Sequence, residues 1–198
     1  MNILIDKVRI KNFRSLFDVE VDLQPLTLLV GTNNAGKTSF LRALNIVLGT
    51  SGRGLNRDDL FIDSSGTVVS QSITIDIRII PFSDGQRKPE FDDADYGLFE
   101  GEKNVQSEEK NNIDMQFYAF RAIYTLTANA EAQYKVINVW ETAEISDKIV
   151  PITTIREYLA LYFIDAQRDI SDDLKLRTSY LGKQTAEVRE NPDRKSVV

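Results

Sequence analysis

The residues of this chain whose types and spacing are best suited to chemistry lie in the segment GTNNAGKT, at positions 31–38. The spacing G-x-x-x-x-G-K-S/T is satisfied by Gly31, Gly36, Lys37 and Thr38. In such a loop the glycines allow successive backbone N–H groups to point at phosphate oxygens. Lys37 would reach the β- and γ-phosphates of a nucleotide, and the Thr38 hydroxyl would bind Mg²⁺. The segment therefore predicts a nucleotide site that uses Mg²⁺.

The segments on both sides of this loop have the patterns that a phosphate-binding loop requires. LTLLV at 26–30 is a continuous apolar run, which predicts a strand buried on both faces. KTSFLRALNIVLG at 37–49 has apolar residues at helical spacing and ends in glycine, which predicts a helix that begins at the loop. The positive end of that helix would point at the same phosphates.

Several further segments have the periodicity of strands or helices. Alternating apolar and polar residues predict half-buried strands at 3–10, 17–23 and 72–81. More strands are predicted at 115–128 and 134–140, and the segment 153–164 begins as a helix and ends as a short apolar strand. Together these patterns predict a mixed α/β protein.

Residues 83–113 differ in composition from the segments around them. They contain nine acidic and four basic residues and show little periodicity. Low hydrophobicity and an excess of one charge are typical of segments that do not pack. We therefore expect a mobile acidic insertion or the tip of a long hairpin at this position.

The overall composition excludes several classes of function. The chain has 198 residues, 42% of them hydrophobic, and a net charge of −6, so bulk charge gives no indication of nucleic-acid binding. It has no cysteine and no histidine, which excludes thiolate and imidazole catalysis. No apolar run reaches about 18 residues and the charged amino terminus lacks a signal-peptide core. We expect a cytoplasmic protein that makes no contact with membranes.

The segment 9–44 resembles a known class of ATPase. IKNFRS at 10–15, the Asn-Asn pair of the loop and the sequence AGKTS are typical of the amino-terminal segment of SMC/RecF-type ATPases of the ABC class. Within that class the chain most resembles the OLD-family ATP-dependent endonucleases. YFIDAQRDISDDL at 162–174, followed by RTSYLGK at 177–183, is similar to a second segment of that family.

This resemblance implies a fold and a domain organisation. The fold would be an α/β P-loop NTPase of the ABC/SMC type, with an antiparallel β subdomain and a Walker A helix. Residues 1–198 would form its ATP-binding domain, of which only the first lobe is expected here. The polar tail VRENPDRKSVV at 188–198 ends without a strand or helix, and we expect a truncated domain.

The resemblance also implies roles for single residues. Arg14 would lie near the nucleotide, with a surface arginine on a turn as the alternative. Ser39 would lie beside the α-phosphate. Gln167 would contact Mg²⁺ or the attacking water, unless it is simply solvated. Further contacts inside the loop are implied for Asn33, Asn34 and Ala35.

Two other aspartates fit nucleotide motifs less well. Asp165 follows an apolar run as a Walker B aspartate does, but Ala166 stands where a glutamate is expected, and an aspartate paired with Arg168 is the alternative. Asp63 and Gly66 fit the D-x-x-G pattern of GTPases, but this stretch is first of all a turn. The guanine-reading N-K-x-D pattern is absent from the sequence.

The resemblance implies a larger machine than the sequence displays. Such ATPases use a signature motif, a Walker B glutamate and a switch histidine, and an OLD nuclease also needs a carboxylate-rich Toprim domain. We identify none of these in the sequence. The chain is therefore expected to bind ATP with little turnover. In the full enzyme, ATP would gate dimerisation or larger assembly and DNA processing, in DNA repair or defence against phage, with DNA contacted through the full-length protein.

Three alternatives remain open from the sequence. One is a RecF- or SMC-like DNA-repair ATPase lobe without a nuclease. Another is a non-catalytic interaction protein that binds a nucleotide. The third is a small GTPase or kinase, which base preference would distinguish.

Overall fold

A computed structural model describes residues 2–49, 55–126, 132–159 and 161–162 of the chain. By its contacts the chain divides into two compact units, Met1–Leu161 and Tyr162–Val198. Nearly all of the described residues belong to the first unit, and the architecture given below is that of the first unit.

Strands dominate the first unit. Their bounds are β1 (Ile3–Phe13), β2 (Leu16–Asp22), β3 (Ser72–Ser83), β4 (Gln86–Arg87), β5 (Gln106–Lys110), β6 (Ile113–Thr125), β7 (Ala132–Val139) and β8 (Glu144–Ile149). They form one antiparallel sheet with the order β2-β1-β3-β6-β7-β8, to which β4 adds beside β3 and β5 adds beside β6. The helices are α1 (Lys37–Leu48), α2 (Asp93–Leu98) and α3 (Ile152–Tyr158), with short 3₁₀ turns at Arg57–Asp59 and Glu102–Asn104.

The periodicity of the sequence locates most of these elements correctly. The strands predicted at 3–10, 17–23, 72–81, 115–128 and 134–140 are confirmed as β1, β2, β3, β6 and β7. The helix predicted at 37–49 is confirmed as α1, with Gly49 as its C-cap. The helical start predicted at 153 is confirmed by α3. The strand expected after it lies largely outside the described residues.

The two faces of the sheet differ in chemistry. One face is apolar and packs against α1, because alternate residues of β1, β3 and β6 point to it. The other face has a small apolar cluster of Ile80, Phe117, Ala119, Ile137 and Trp140. Charged side chains occupy the rest of that face.

These charged side chains form buried and half-buried ion pairs. Asp76 on β3 is 1% exposed and accepts hydrogen bonds from Nε and Nη2 of Arg121, at 2.7 and 2.8 Å. Arg78 donates to Asp6 and also to Glu108 on β5. The guanidinium of Arg9 lies 4.5 Å from the centre of the Trp140 ring. The paired charges satisfy one another, which makes burial of this face tolerable.

Residues 83–113 contain more structure than their composition indicates. The segment includes β4, α2 and β5. Phe91, Leu98 and Phe99 are buried in the main core, and the Phe99 ring stacks on Tyr118 with 4.2 Å between the ring centres. These aromatic anchors are spaced too irregularly to give a periodic signal. The mobility of this acidic insertion stays a prediction.

The prediction of a strand at 26–30 is wrong for the structure described. The segment has no regular secondary structure, and none of its five residues forms a backbone hydrogen bond with another described residue. Leu26, Leu28 and Val30 are 91%, 84% and 82% exposed, while Leu29 is half-buried against the core. The segment keeps the alternation of a strand, but no described strand lies beside it to pair with it.

No helix in the described ranges is long and apolar enough to span a bilayer.

Candidate nucleotide-binding site

The glycine loop, residues 31–38, leads directly into α1. Gly36 is the N-cap of this helix and provides no side chain to cap it. The first turn of α1 contains no acidic residue. The first N–H groups of a helix have no partners within the helix, so this end offers unsatisfied donors and a positive dipole end. Such an end is suited to an anion.

The backbone of the loop requires glycine at position 36. Gly36 has φ +89°, and Asn34, two residues earlier, has φ +70°. A Cβ atom added to Gly36 would lie 2.6 Å from Cδ2 of Leu16, which is closer than atoms can approach. Left-handed residues in such turns allow several backbone N–H groups to face a single anion.

Lys37 folds back over the loop that precedes it. Its Nζ donates hydrogen bonds to the backbone oxygens of Gly31 and Thr32, both at 2.7 Å. A third bond, from the N–H of Ala35 to the oxygen of Thr32 at 3.2 Å, closes the turn. The lysine charge is therefore held at the mouth of the loop, where phosphate oxygens could replace the two carbonyl oxygens.

The remaining loop side chains predicted to contact the nucleotide are open to solvent. Asn33, Asn34, Ala35 and Thr38 are exposed, and Ser39 is half-buried. The described residues contain no group of three or more carboxylates that could hold a metal. The binding of Mg²⁺ by the Thr38 hydroxyl stays a prediction, and this exposed hydroxyl is open to an ion that arrives with the oxygens of a nucleotide and water.

Arg14 pairs with a carboxylate in the 3₁₀ turn Arg57–Asp59. It lies in the turn between β1 and β2 with φ +52°. Its Nε and Nη2 donate to Oδ1 of Asp59 at 2.8 and 2.6 Å. The structure therefore pairs Arg14 with a buried carboxylate, and a contact with nucleotide stays a prediction.

Two neighbours of Arg14 contact the loop and were missed from the sequence. The Ser15 and Ser39 Oγ atoms are 3.3 Å apart. Leu16, which is buried, packs against Gly36. The IKNFRS pattern includes Ser15 and was a usable signal, whereas no motif identifies Asp59 as the partner of Arg14.

The D-x-x-G stretch forms a turn. The Asp63 carboxylate accepts hydrogen bonds from the N–H groups of Ser65 and Thr67, both at 2.9 Å, and from the Ser65 hydroxyl. These bonds, the one from the Ser65 hydroxyl above all, lower the pKa of Asp63. The carboxylate is thus occupied in its own turn, as the turn interpretation predicts. Gln167, Asp165 and Arg168 lie outside the described residues.

A curated relative shares a short segment with the chain. The OLD nuclease of Thermus scotoductus is 50% identical over 46 residues, which is 23% of this chain and 9% of the nuclease. The chain thus matches only a small part of the length of that relative.

Two solved structures have a similar fold. One, described under ATP-driven dimerisation and DNA-stimulated activation of SMC ATPases, is 18% identical with a TM-score of 0.52, over 91% of this chain and 95% of that one. The Smc head domain of Pyrococcus furiosus, bound to the C-terminal domain of ScpA, is 15% identical with a TM-score of 0.52, over 97% of this chain and 44% of that one. At these identities the likeness shows the fold, a P-loop ATPase of the SMC/RecF ABC type.

A family model confirms this assignment over almost the entire sequence. The model described as AAA ATPase domain matches residues 4–195. The antiparallel sheet and the helix that follows the glycine loop are consistent with this match, which covers nearly the entire chain. The chain belongs to the AAA ATPase domain family.

Proposed function

We propose that the chain is the ATP-binding domain of an OLD-like, ATP-dependent endonuclease or ATPase. The observation that supports this most strongly is the uncapped start of α1 beside Lys37, whose partners among the described residues are the carbonyl oxygens of Gly31 and Thr32. Both features offer positive charge and free donors at one place. The triphosphate of ATP has the negative oxygens that this place lacks.

Each residue of the glycine loop has a definite role in this proposal. Lys37 exchanges its two carbonyl partners for β- and γ-phosphate oxygens, and Gly36 allows the backbone to approach them. The Thr38 hydroxyl holds Mg²⁺ together with the phosphates, and the Ser39 hydroxyl lies by the α-phosphate. Mg²⁺ would neutralise the charge of the phosphates. The remaining contacts within the loop come from Gly31, Asn33, Asn34 and Ala35.

Turnover by this chain is proposed to be slow. Hydrolysis requires an oriented water and a group that stabilises charge opposite the loop. In the described part of the chain, no carboxylate forms a hydrogen bond with residues 31–39. Binding depends mainly on the loop and α1, so it does not require that group.

The role in the full-length enzyme is proposed from the relatives and from the segment 26–30. ATP would bring two such domains together and gate DNA processing, as ATP-driven dimerisation is reported for the SMC relative. The exposed residues Leu26, Leu28 and Val30 beside the loop support an incomplete lobe. Exposed apolar segments of this kind are normally covered by another element.

A calorimetric titration with Mg-ATP tests the proposal. The chain should bind one ATP, and Lys37→Ala should weaken binding by at least about tenfold, since a charge-assisted bond is worth about 1.5–3 kcal/mol. Lys11→Ala is the matched control, because Lys11 pairs with the exposed carboxylate of Asp18 on β2. Equal affinities of the parent and Lys37→Ala would refute the proposal. Tighter binding of Mg-GTP would favour a GTPase.

A RecF- or SMC-like repair ATPase without a nuclease is the second candidate. The similarity of the fold to the Smc head domain favours it. Mg²⁺-dependent DNA cleavage by the full-length protein would separate the two, because only the OLD-like enzyme cleaves DNA. A nucleotide-binding interaction protein would hold ATP without turnover even in its full assembly.

A further inference from the structure

Asp59 has a buried carboxylate that accepts hydrogen bonds from two residues, Arg14 and Asn56. Its side chain is 4% exposed, and Oδ1 accepts both bonds from Arg14. Oδ2 accepts the N–H of Asn56 at 3.0 Å, and the backbone oxygen of Asp59 accepts the N–H of Arg14 at 2.8 Å. Arg14 is therefore attached to Asp59 by both its backbone and its side chain.

This attachment fixes the turn between β1 and β2. Arg14 has a left-handed backbone, which a residue with a Cβ adopts only where its surroundings hold it. The guanidinium also lies 5.4 Å from the centre of the Phe13 ring, and Phe13 is fully buried. Asp59 thus stabilises a conformation that the turn would not keep by itself.

The same turn forms one wall of the glycine loop. Ser15 is hydrogen-bonded to Ser39 in the first turn of α1, with 3.3 Å between the oxygens. Leu16 packs closely on Gly36, since a Cβ atom added there would lie 2.6 Å from its Cδ2. A displacement of residues 14–16 would therefore change the position of the backbone at 36–39.

We propose that Asp59 is a positioning residue for the nucleotide loop, acting through Arg14 and the β1–β2 turn. This inference rests on the proposed function for its effect on ATP binding. It assigns Arg14 a role in the support of the loop. The carboxylate charge is essential, because an amide retains the shape but cannot accept both guanidinium bonds with the same strength.

Hydrogen exchange without nucleotide tests the support directly. Asp59→Asn and Arg14→Gln should speed exchange of the first amides of α1 that have helical partners, at 40–43, at least about fivefold and leave those of β3 unchanged, because the opening is local. Asp63→Asn is the matched control, since the bonds of Asp63 to described residues lie within its own turn. Unchanged exchange at 40–43 in Asp59→Asn would overturn the proposal. An equal rise throughout β3 would show a merely structural role and would also overturn it.

A double-mutant cycle on Mg-ATP affinity distinguishes positioning from direct contact. Each single variant should weaken binding about tenfold, and Asp59→Asn with Arg14→Gln should be no weaker than either alone. Loss of affinity in Arg14→Gln with none in Asp59→Asn would overturn the proposal, because Arg14 would then contact the nucleotide itself.

Two further results keep this inference separate from the proposed function. If Asp59→Asn does not fold, Ser15→Ala removes the contact with Ser39 and should speed exchange at 40–43 in the same way. If the parent chain does not bind ATP, the proposed function fails, while the exchange result still confirms or refutes the support of the loop by Asp59.

Discussion

The strand β3 and the segment 26–30 are both rich in large apolar residues, but they lie in opposite environments. β3 lies between β1 and β6, and its four alternate isoleucines at 73, 75, 77 and 79 are fully buried. In the segment 26–30, Leu26, Leu28 and Val30 are almost fully exposed. One segment is paired on both edges, and the other forms no backbone hydrogen bond with a described residue.

The difference shows which parts of the first unit bury their apolar residues within the unit and which parts do not. The central strands of the sheet pair on both edges, and their apolar face packs against α1, within the described residues. The segment that leads into the glycine loop forms no backbone hydrogen bond with them. The proposed nucleotide site begins at Gly31, directly after Val30, so the exposed segment leads straight into the loop.

The largest expected effect concerns the polar side of β3. Asp76→Asn removes the buried charge that pairs with the half-buried Arg121 and with Arg9, which should lower the free energy of unfolding by about 3–5 kcal/mol. Asp18→Asn is the control, because Asp18 pairs with Lys11 in an exposed position, where such pairs contribute about 0–1 kcal/mol. Urea unfolding of both variants measures the difference. Equal losses would show that the ionic face is not a buried network.

Truncation of one aliphatic side chain in each region tests the comparison itself. Ile77→Ala should lower the free energy of unfolding by about 2–5 kcal/mol, because the residue is fully buried. Leu28→Ala should change it by less than about 0.5 kcal/mol, because Leu28 is 84% exposed. Denaturant unfolding of both variants measures the two changes. A large loss in Leu28→Ala would mean that the segment is covered and the comparison false.

The smallest expected effect is the pH dependence of the stability that Glu108 on β5 contributes. This strand covers part of the ionic face. Burial opposes ionisation of Glu108, but the bond from Arg87 and the charge of Arg78 outweigh it and lower the pKa of Glu108 from 4.5. A lowered carboxyl pKa contributes stability above pH 4.5, which is lost as the pH falls through the lower folded value.

This pH dependence is isolated by the variant Glu108→Gln. The difference in the free energy of unfolding between parent and variant should be largest near pH 6 and should shrink at pH values below 4.5. Glu109→Gln on the same strand is the control, because no ion pair of Glu109 is present among the described residues. A difference that does not change with pH would contradict the account.

Much of the fold follows from the periodicity of the sequence. The alternation in β3 and the helical spacing in α1 describe faces that the described unit itself buries, so local pattern and final packing agree. Residues 83–113 gave no such signal, because Phe91 and Phe99 reach the core from irregular positions. The composition of LTLLV predicts a buried strand. Burial also requires partner strands, which local sequence does not specify.

The candidate site also has one part that the sequence predicts and one part that it does not. The glycine loop was predictable because the motif specifies backbone geometry, and Gly36 has the positive φ that the motif requires. Ser15 was within reach of the family pattern. The Arg14–Asp59 pair joins residues 45 positions apart and depends on how the turns pack, so residue types alone could not identify it.

The most direct test of the account is hydrogen exchange of the chain with and without Mg-ATP. The account predicts slower exchange of amides at 31–39, because their donors bind phosphate oxygens, and unchanged rapid exchange at 28–30. Protection at 31–39 should be absent in Lys37→Ala. Exchange at 31–39 that is indifferent to Mg-ATP would contradict the central claim that this loop binds a nucleotide.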